Sequence, residues 1–227
     1  MQSRNFHILR FSSSVDWDIH HGNGTQAIFL NDPDVLYFSV HRYHGGNYFP
    51  FQKNAGPTTV GLDEGAGLCV NVGWNQKGMG DTEYLAVWEK LLMPIANEFQ
   101  PDLVLVSAGF DAAQGDLGEC NVTPECFGKL TESLVTLANG KVVCTLEGGY
   151  VRSILCQCVE NVLRALLKKE SVEETPESDG SDRTSVVNGT SKDILKCINS
   201  SAAQSICSTI SCHKKYWSCL RDDLTSQ

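Results

Sequence analysis

The run Asp16-Trp17-Asp18-Ile19-His20 sets two carboxylates and an imidazole at alternate positions. In extended backbone all three point to one side, because side chains alternate with a period of two. Two carboxylates and one imidazole make a three-ligand set for a catalytic divalent metal and leave a position for water and substrate. Their negative charge offsets that of a divalent ion without abolishing its Lewis acidity. Asp18 and His20, joined by Asp111 of the run Ala108-Gly109-Phe110-Asp111, form that set. Asp16 is one carboxylate more than it needs, and is free to hold a further cation or to orient a ligand. A third polar cluster is Glu147-Gly148-Gly149-Tyr150. Taken singly, a DxD run, a His pair in a loop or a tyrosine after two glycines is commonplace. Three such clusters, each with its own glycine for a tight turn, favour one joint site.

What must position them is legible in the hydrophobic pattern. Val35–Val40, Leu68–Val72, Leu103–Ser107 and Val142–Leu146 are near-continuous apolar runs, the signature of strands buried on both faces of a parallel sheet. Between them, Leu85, Trp88, Leu91, Leu92, Ile95 and Phe99 recur at helical spacing, with Asp81 and Thr82 placed to cap. Phe127, Leu130, Leu134 and Leu137 repeat the pattern, as do Ile154, Val159, Val162, Leu163 and Leu166. Alternating strands and helices predict an α/β fold, a parallel sheet with helices on its faces and right-handed crossovers. Polar residues just past the carboxyl ends of parallel strands stand where such folds place their active sites.

Composition bounds the function. The 227 residues carry a net charge of −9, which disfavours direct nucleic-acid binding. No apolar run approaches the roughly 18–20 residues that cross a bilayer, so no membrane span is expected. The ten cysteines include no CxxC pair, and several sit in apolar runs as small buried hydrophobes. Together with an N-terminus lacking a signal-peptide core, they predict a reduced chain, cytoplasmic or nuclear. Six acids and no base between Glu170 and Asp182 predict a disordered linker over 169–193. Helical spacing resumes from Ile194 to Leu220, giving a C-terminal helix and tail over 194–227.

The segments VDWDIHHGNGTQ, VLYFSVHRY, NYFPF, GMGDTEYL, LVLVSAGFDAAQGD and LEGGY, in this order, resemble the second half of a class II histone deacetylase catalytic domain. The resemblance runs over 15–168, and SCHKKYWSCL resembles the closing helix of class IIb domains. It implies the arginase–deacetylase fold, incomplete, and zinc-dependent hydrolysis of acetyl-lysine in proteins such as histones or tubulin. Asp18, His20 and Asp111 match the zinc ligands. Asp16, the backbones of Asp18, His20 and Val40, and the Ser39 side chain match an inner potassium site. The carbonyls of Phe29, Asp32 and Val35 match part of an outer one. Phe49, Leu117 and Gly149 fall at substrate-tunnel positions. Tyr150 matches the tyrosine that hydrogen-bonds the substrate carbonyl, and as tyrosine it points to the class I/IIb type.

Two departures qualify what the resemblance implies. The family's general-base histidine pair lies in a Gly-His-His segment upstream, whereas only His7 precedes Asp16 here. Arg10-Phe11-Ser12-Ser13-Ser14 stands where the family has an apolar strand, and residues 1–14 read as divergent. Little deacetylase activity is therefore expected of the isolated chain, together with exposed sheet surface suited to a complementing chain or N-terminal half. Gly115-Asp116-Leu117-Gly118-Glu119 is one residue shorter than the family's form. Leu117 aligns with the apolar residue of protein deacetylases, while Glu119 lies near the glutamate of the polyamine-preferring relative. Two other classes fit some residues: a noncatalytic zinc-binding module, and an arginase-like two-metal hydrolase, which Asn23 disfavours.

Overall fold

The computed structural model describes residues 10–168 and 191–221; the acidic run Glu170–Asp182 and His7 lie outside them. Five parallel strands form one sheet in the order β3-β2-β1-β4-β5. They are β1 Ser12–Asp16, β2 Val35–Arg42, β3 Cys69–Trp74, β4 Leu103–Ala108 and β5 Val142–Leu146. The four apolar runs expected to be strands are strands.

β1 corrects the reading of Ser12–Ser14. These serines form the central strand, paired in parallel register with β2 (Ser14 with Tyr37, Asp16 with Ser39) and with β4 (Ser14 with Leu105). Two neighbouring ladders fix the backbone, and tertiary pairing overrides the weak β-propensity of serine. The small side chains of Ser13 and Ser14 are buried there.

On one sheet face Val15, Trp17, Phe38, Val40, Val72 and Val106 are buried beneath the helices. Trp17 meets Trp88 and Phe127 at ring distances of 6.3 and 5.8 Å, and Phe38 meets Trp88 at 6.3 Å. The expected helix over Leu85–Phe99 is α2 Asp81–Val87, a π-turn over Trp88–Leu92, and α3 Met93–Phe99. Its cap differs from expectation. Gly80 occupies the cap position, its N–H donating to Glu83 (2.8 Å), while Asp81 accepts from the N–H and hydroxyl of Thr123. Asp81 thus ties this helix to the start of α4 Pro124–Val135, which packs on α5 Arg152–Leu167.

The opposite face is covered at one side only. α1 Asn23–Phe29 lies over β2 and β3, where Gln26 reaches Cys69 and Asn71. At the outer edge of the sheet, after α6 Ser191–Cys197, α7 Ser200–His213 closes on β3, with Ser205 and Thr209 donating to the carbonyls of Gly73 and Asn71. Over β4 and β5, Leu105 and Val143 stay exposed. Among the described residues no helix is long and apolar enough to cross a membrane.

Candidate functional site

The carboxyl ends of β1, β4 and β5 bring the three polar clusters together. Asp18, His20 and Asp111 each offer one ligand atom within 4.8 Å of the others, the one such group of three among the described residues. His20 Nδ1 lies 2.9 Å from Asp18 Oδ1 and 3.0 Å from Asp111 Oδ2. Backbone bonds set the carboxylates: the N–H of Ile19 donates to Asp111 Oδ1 (2.8 Å), and that of His20 to Asp18 Oδ1 (2.8 Å). Two glycines keep the cradle open. A Cβ at Gly109 would stand 2.0 Å from Asp18 Oδ2, and one at Gly148 2.6 and 2.8 Å from Asp18 Oδ2 and Asp111 Oδ2.

Electrostatics make this a seat for a cation. Hydrogen bonds to Asp111 and Asp18 push the His20 imidazole up to about 9. Burial, then the neighbouring Asp18 charge, raises Asp111, although its bond to His20 pulls the other way. Asp16 is raised well above the carboxylate range by burial and by the charges of Asp18 and Glu147. A divalent ion held by Asp18, His20 and Asp111 would offset the carboxylate charge and take the place of the His20 proton. Two carboxylates and an imidazole, with an open side, suit zinc.

The remaining expected residues fall in three places. Around the triad, Phe49 sets its ring edge-on to His20 at 5.8 Å and is exposed, as are Leu117 and Tyr150. Gly149, with φ of +117°, supplies the left-handed turn before Tyr150. Loss of hydration and the charges of Asp111 and Asp18 hold the Tyr150 phenol above its usual range. Behind the triad, Asp16 and Ser39 pair in register on neighbouring strands, with Val40 next on β2. Phe29, Asp32 and Val35 lie apart, in the turn feeding β2, where the Asp32 N–H donates to the Phe29 carbonyl (3.1 Å).

Tyr48 and Arg42 were missed in the sequence. Tyr48 stacks on His20 with centroids 5.7 Å apart and an interplanar angle of 18°. The buried Arg42 guanidinium lies 4.4 Å from the Tyr48 ring and donates to the Gly118 carbonyl and to Glu119 Oε2. An arginine ending a strand was the available signal, but its partners lie more than 70 residues away. His21 and His41 are buried: His21 bonds Gln26, and His41 bonds Ser39 and the Ala55 carbonyl. Burial lowers His21 and, with His21 beside it, takes His41 to about 3.

An all-parallel sheet with an Asp-His-Asp cluster at its carboxyl end is the framework of a metal site. The histone deacetylase domain model matches residues 12–166, and the chain belongs to the histone deacetylase family. It is 51% identical over 154 residues to the human polyamine deacetylase HDAC10, covering 67% of this chain and 23% of that protein. The structure of the histone deacetylase Clr3 superposes with a TM-score of 0.80 at 36% identity, over 96% of this chain and 34% of that one. The HDA15 HD domain gives a TM-score of 0.78 at 34% identity, over 94% and 53%. The chain thus spans about a quarter of its human relative and about half of the HDA15 domain chain.

Proposed function

We propose that this chain is the metal-binding part of a zinc-dependent protein lysine deacetylase, one that hydrolyses the amide of acetyl-lysine. The observation that carries the reading is the Asp18–His20–Asp111 triad with Tyr150 beside it. Zinc held by these three residues would supply Lewis acidity to the acetamide carbonyl. Tyr48 and Phe49 wall the His20 ring on two sides and so hold its orientation. The Tyr150 hydroxyl donates to the oxygen on which charge develops, a preorganised donor that stabilises the tetrahedral state. Asp16 and Ser39, paired in register behind the triad, form an inner potassium seat, with the 29–35 turn an outer one.

A base must still take the proton of the attacking water. His21 and His41 are engaged elsewhere, with pKa values lowered. We assign the base to a further length of deacetylase chain seated on the uncovered β4–β5 face. Parallel sheets are normally covered on both sides, and the HDA15 domain chain is nearly twice the length matched here. The ten unpaired thiols fit a reducing compartment, the cytoplasm or the nucleus.

Acetyl-lysine protein is the substrate the cleft mouth favours. Recognition of a polyamine's free ammonium calls for an available acid, and Glu119 is held by Arg42 (2.9 Å) and Lys77 (3.1 Å). Leu117, Phe49 and Phe51 leave the mouth apolar. Identity with the human polyamine deacetylase favours acetylpolyamine as the second reading. Turnover of an acetyl-lysine peptide and of N-acetylated spermidine, by this chain alone and mixed with the upstream half of a relative's domain, separates them. Preference for the peptide by the mixture, abolished by Asp111→Ala, is expected. Preference for the polyamine would install the second reading, and no turnover of either would reduce the chain to a metal-binding module.

A further inference from the structure

Tyr150 is largely exposed, so packing against its ring does little to aim the hydroxyl. Its direction depends on the backbone, which leaves β5 through Gly148 and the left-handed Gly149 and enters α5 at Val151. What fixes that backbone comes from another loop. Asp116 is buried, and its Oδ2 accepts from the N–H groups of Tyr150 and of Val151, both at 2.8 Å. Its Oδ1 accepts from the Leu117 N–H at 2.7 Å. The loop carrying Asp116 is itself tied to the metal ligand, since the Gly118 N–H donates to the Asp111 carbonyl (3.0 Å) and Arg42 donates to the Gly118 carbonyl (3.0 Å).

We propose that Asp116 is the positioning residue for Tyr150: its carboxylate grips two successive N–H groups and locks the hydroxyl donor to the loop that bears Asp111. Donor and ligand then keep one spacing, which matters because catalytic donors must be held to about 0.5 Å. The inference rests on the proposed role of Tyr150 and concerns how that role is enabled. Asparagine at 116 is nearly isosteric, but its NH₂ group would face a backbone N–H in place of an acceptor.

The test is a double-mutant cycle on the zinc-loaded 227-residue chain, with acetohydroxamate as probe and calorimetry as readout. Tyr150→Phe is expected to weaken binding about tenfold, and Asp116→Asn by a similar factor when Tyr150 is present. In the Tyr150→Phe background Asp116→Asn should cost less than about twofold, with zinc affinity unchanged in all variants. Amide hydrogen exchange at positions 150 and 151 should accelerate in metal-free Asp116→Asn. Asp116→Glu, which restores the carboxylate, should recover part of the affinity, and serves if the asparagine variant does not fold. Asp102→Asn is the control, because Asp102 also accepts two backbone N–H groups, those of Arg10 and Phe11; it should leave probe binding unchanged. Equal losses from Asp116→Asn with and without the Tyr150 hydroxyl would overturn the inference and leave Tyr150's role intact. No effect of Tyr150→Phe would overturn both.

Discussion

Along one row of the sheet Cys69, Tyr37, Ser14, Leu105 and Val143 stand side by side on the same face. Their exposures are 2, 1, 9, 42 and 50%. At the β3–β2 end the row lies under α1 and meets a buried polar network, in which the Gln26 carbonyl oxygen accepts from His21 and Asn71. At the β4–β5 end apolar side chains of the same strand type meet solvent. Strands β2 to β5 carry the pattern of two-sided burial, and at β4 and β5 one face does not receive it. The triad sits on the border: Asp18 and His20 follow β1, and Asp111 follows β4. Two of its ligands thus follow the central strand and the third follows the first strand of the uncovered half.

The sharpest way to break this contrast is a pair of adjacent substitutions on β4. Val106 faces the buried side and Leu105 the open one. Val106→Asp should cost on the order of 4 kcal/mol or prevent folding, because it buries an unpaired charge. Leu105→Asp should change stability by less than about 1 kcal/mol and improve solubility. Urea denaturation measures both, and similar losses would mean that the two faces are equally covered.

A pH titration of wild type against a His213 variant probes the covered half. His213, on α7 against β3, is taken by burial to about 4 from its ordinary value of 6.5. The unfolded chain therefore binds this proton before the folded one does, and stability falls as pH drops from about 6.5 towards 4. The contribution lost is roughly 3 kcal/mol. In His213→Leu that part of the slope should vanish, so the stability difference between wild type and variant shifts across this window. A difference independent of pH would contradict the assignment.

Legibility in the sequence followed the same division between local and distant causes. Strands β2 to β5 were readable because each is an apolar run whose meaning is local. β1 was not, because Ser12–Ser14 become a strand through pairing with β2 and β4, which no local pattern reports. The helix over Leu85–Phe99 was readable in its apolar stripe but not in its π-turn, nor in Glu83 reaching back to Gly80. Asp18, His20 and Asp111 were legible because chemistry restricts metal ligands to a few residue types. Tyr48, Arg42 and Asp116 were not, since stacking and backbone capture depend on distances between loops remote in sequence.

At the border itself, Gly148→Ala places a methyl group against Asp18 and Asp111. It should weaken zinc binding by about 10- to 100-fold while costing little fold stability; metal competition with a chromophoric chelator reads this out. The smallest effect belongs to the open half. Arg164→Ala breaks the exposed pair with Glu160 (2.7 Å) on α5, and should cost about 0.3–0.5 kcal/mol, vanishing at high salt.

The account turns on whether the border triad binds metal in this chain. Zinc titration of the metal-free protein, with stoichiometry by mass spectrometry, measures that directly. One zinc per chain is expected, released by Asp111→Asn with an affinity loss of at least about 100-fold. Two metals per chain, or zinc binding indifferent to Asp111→Asn, would contradict it.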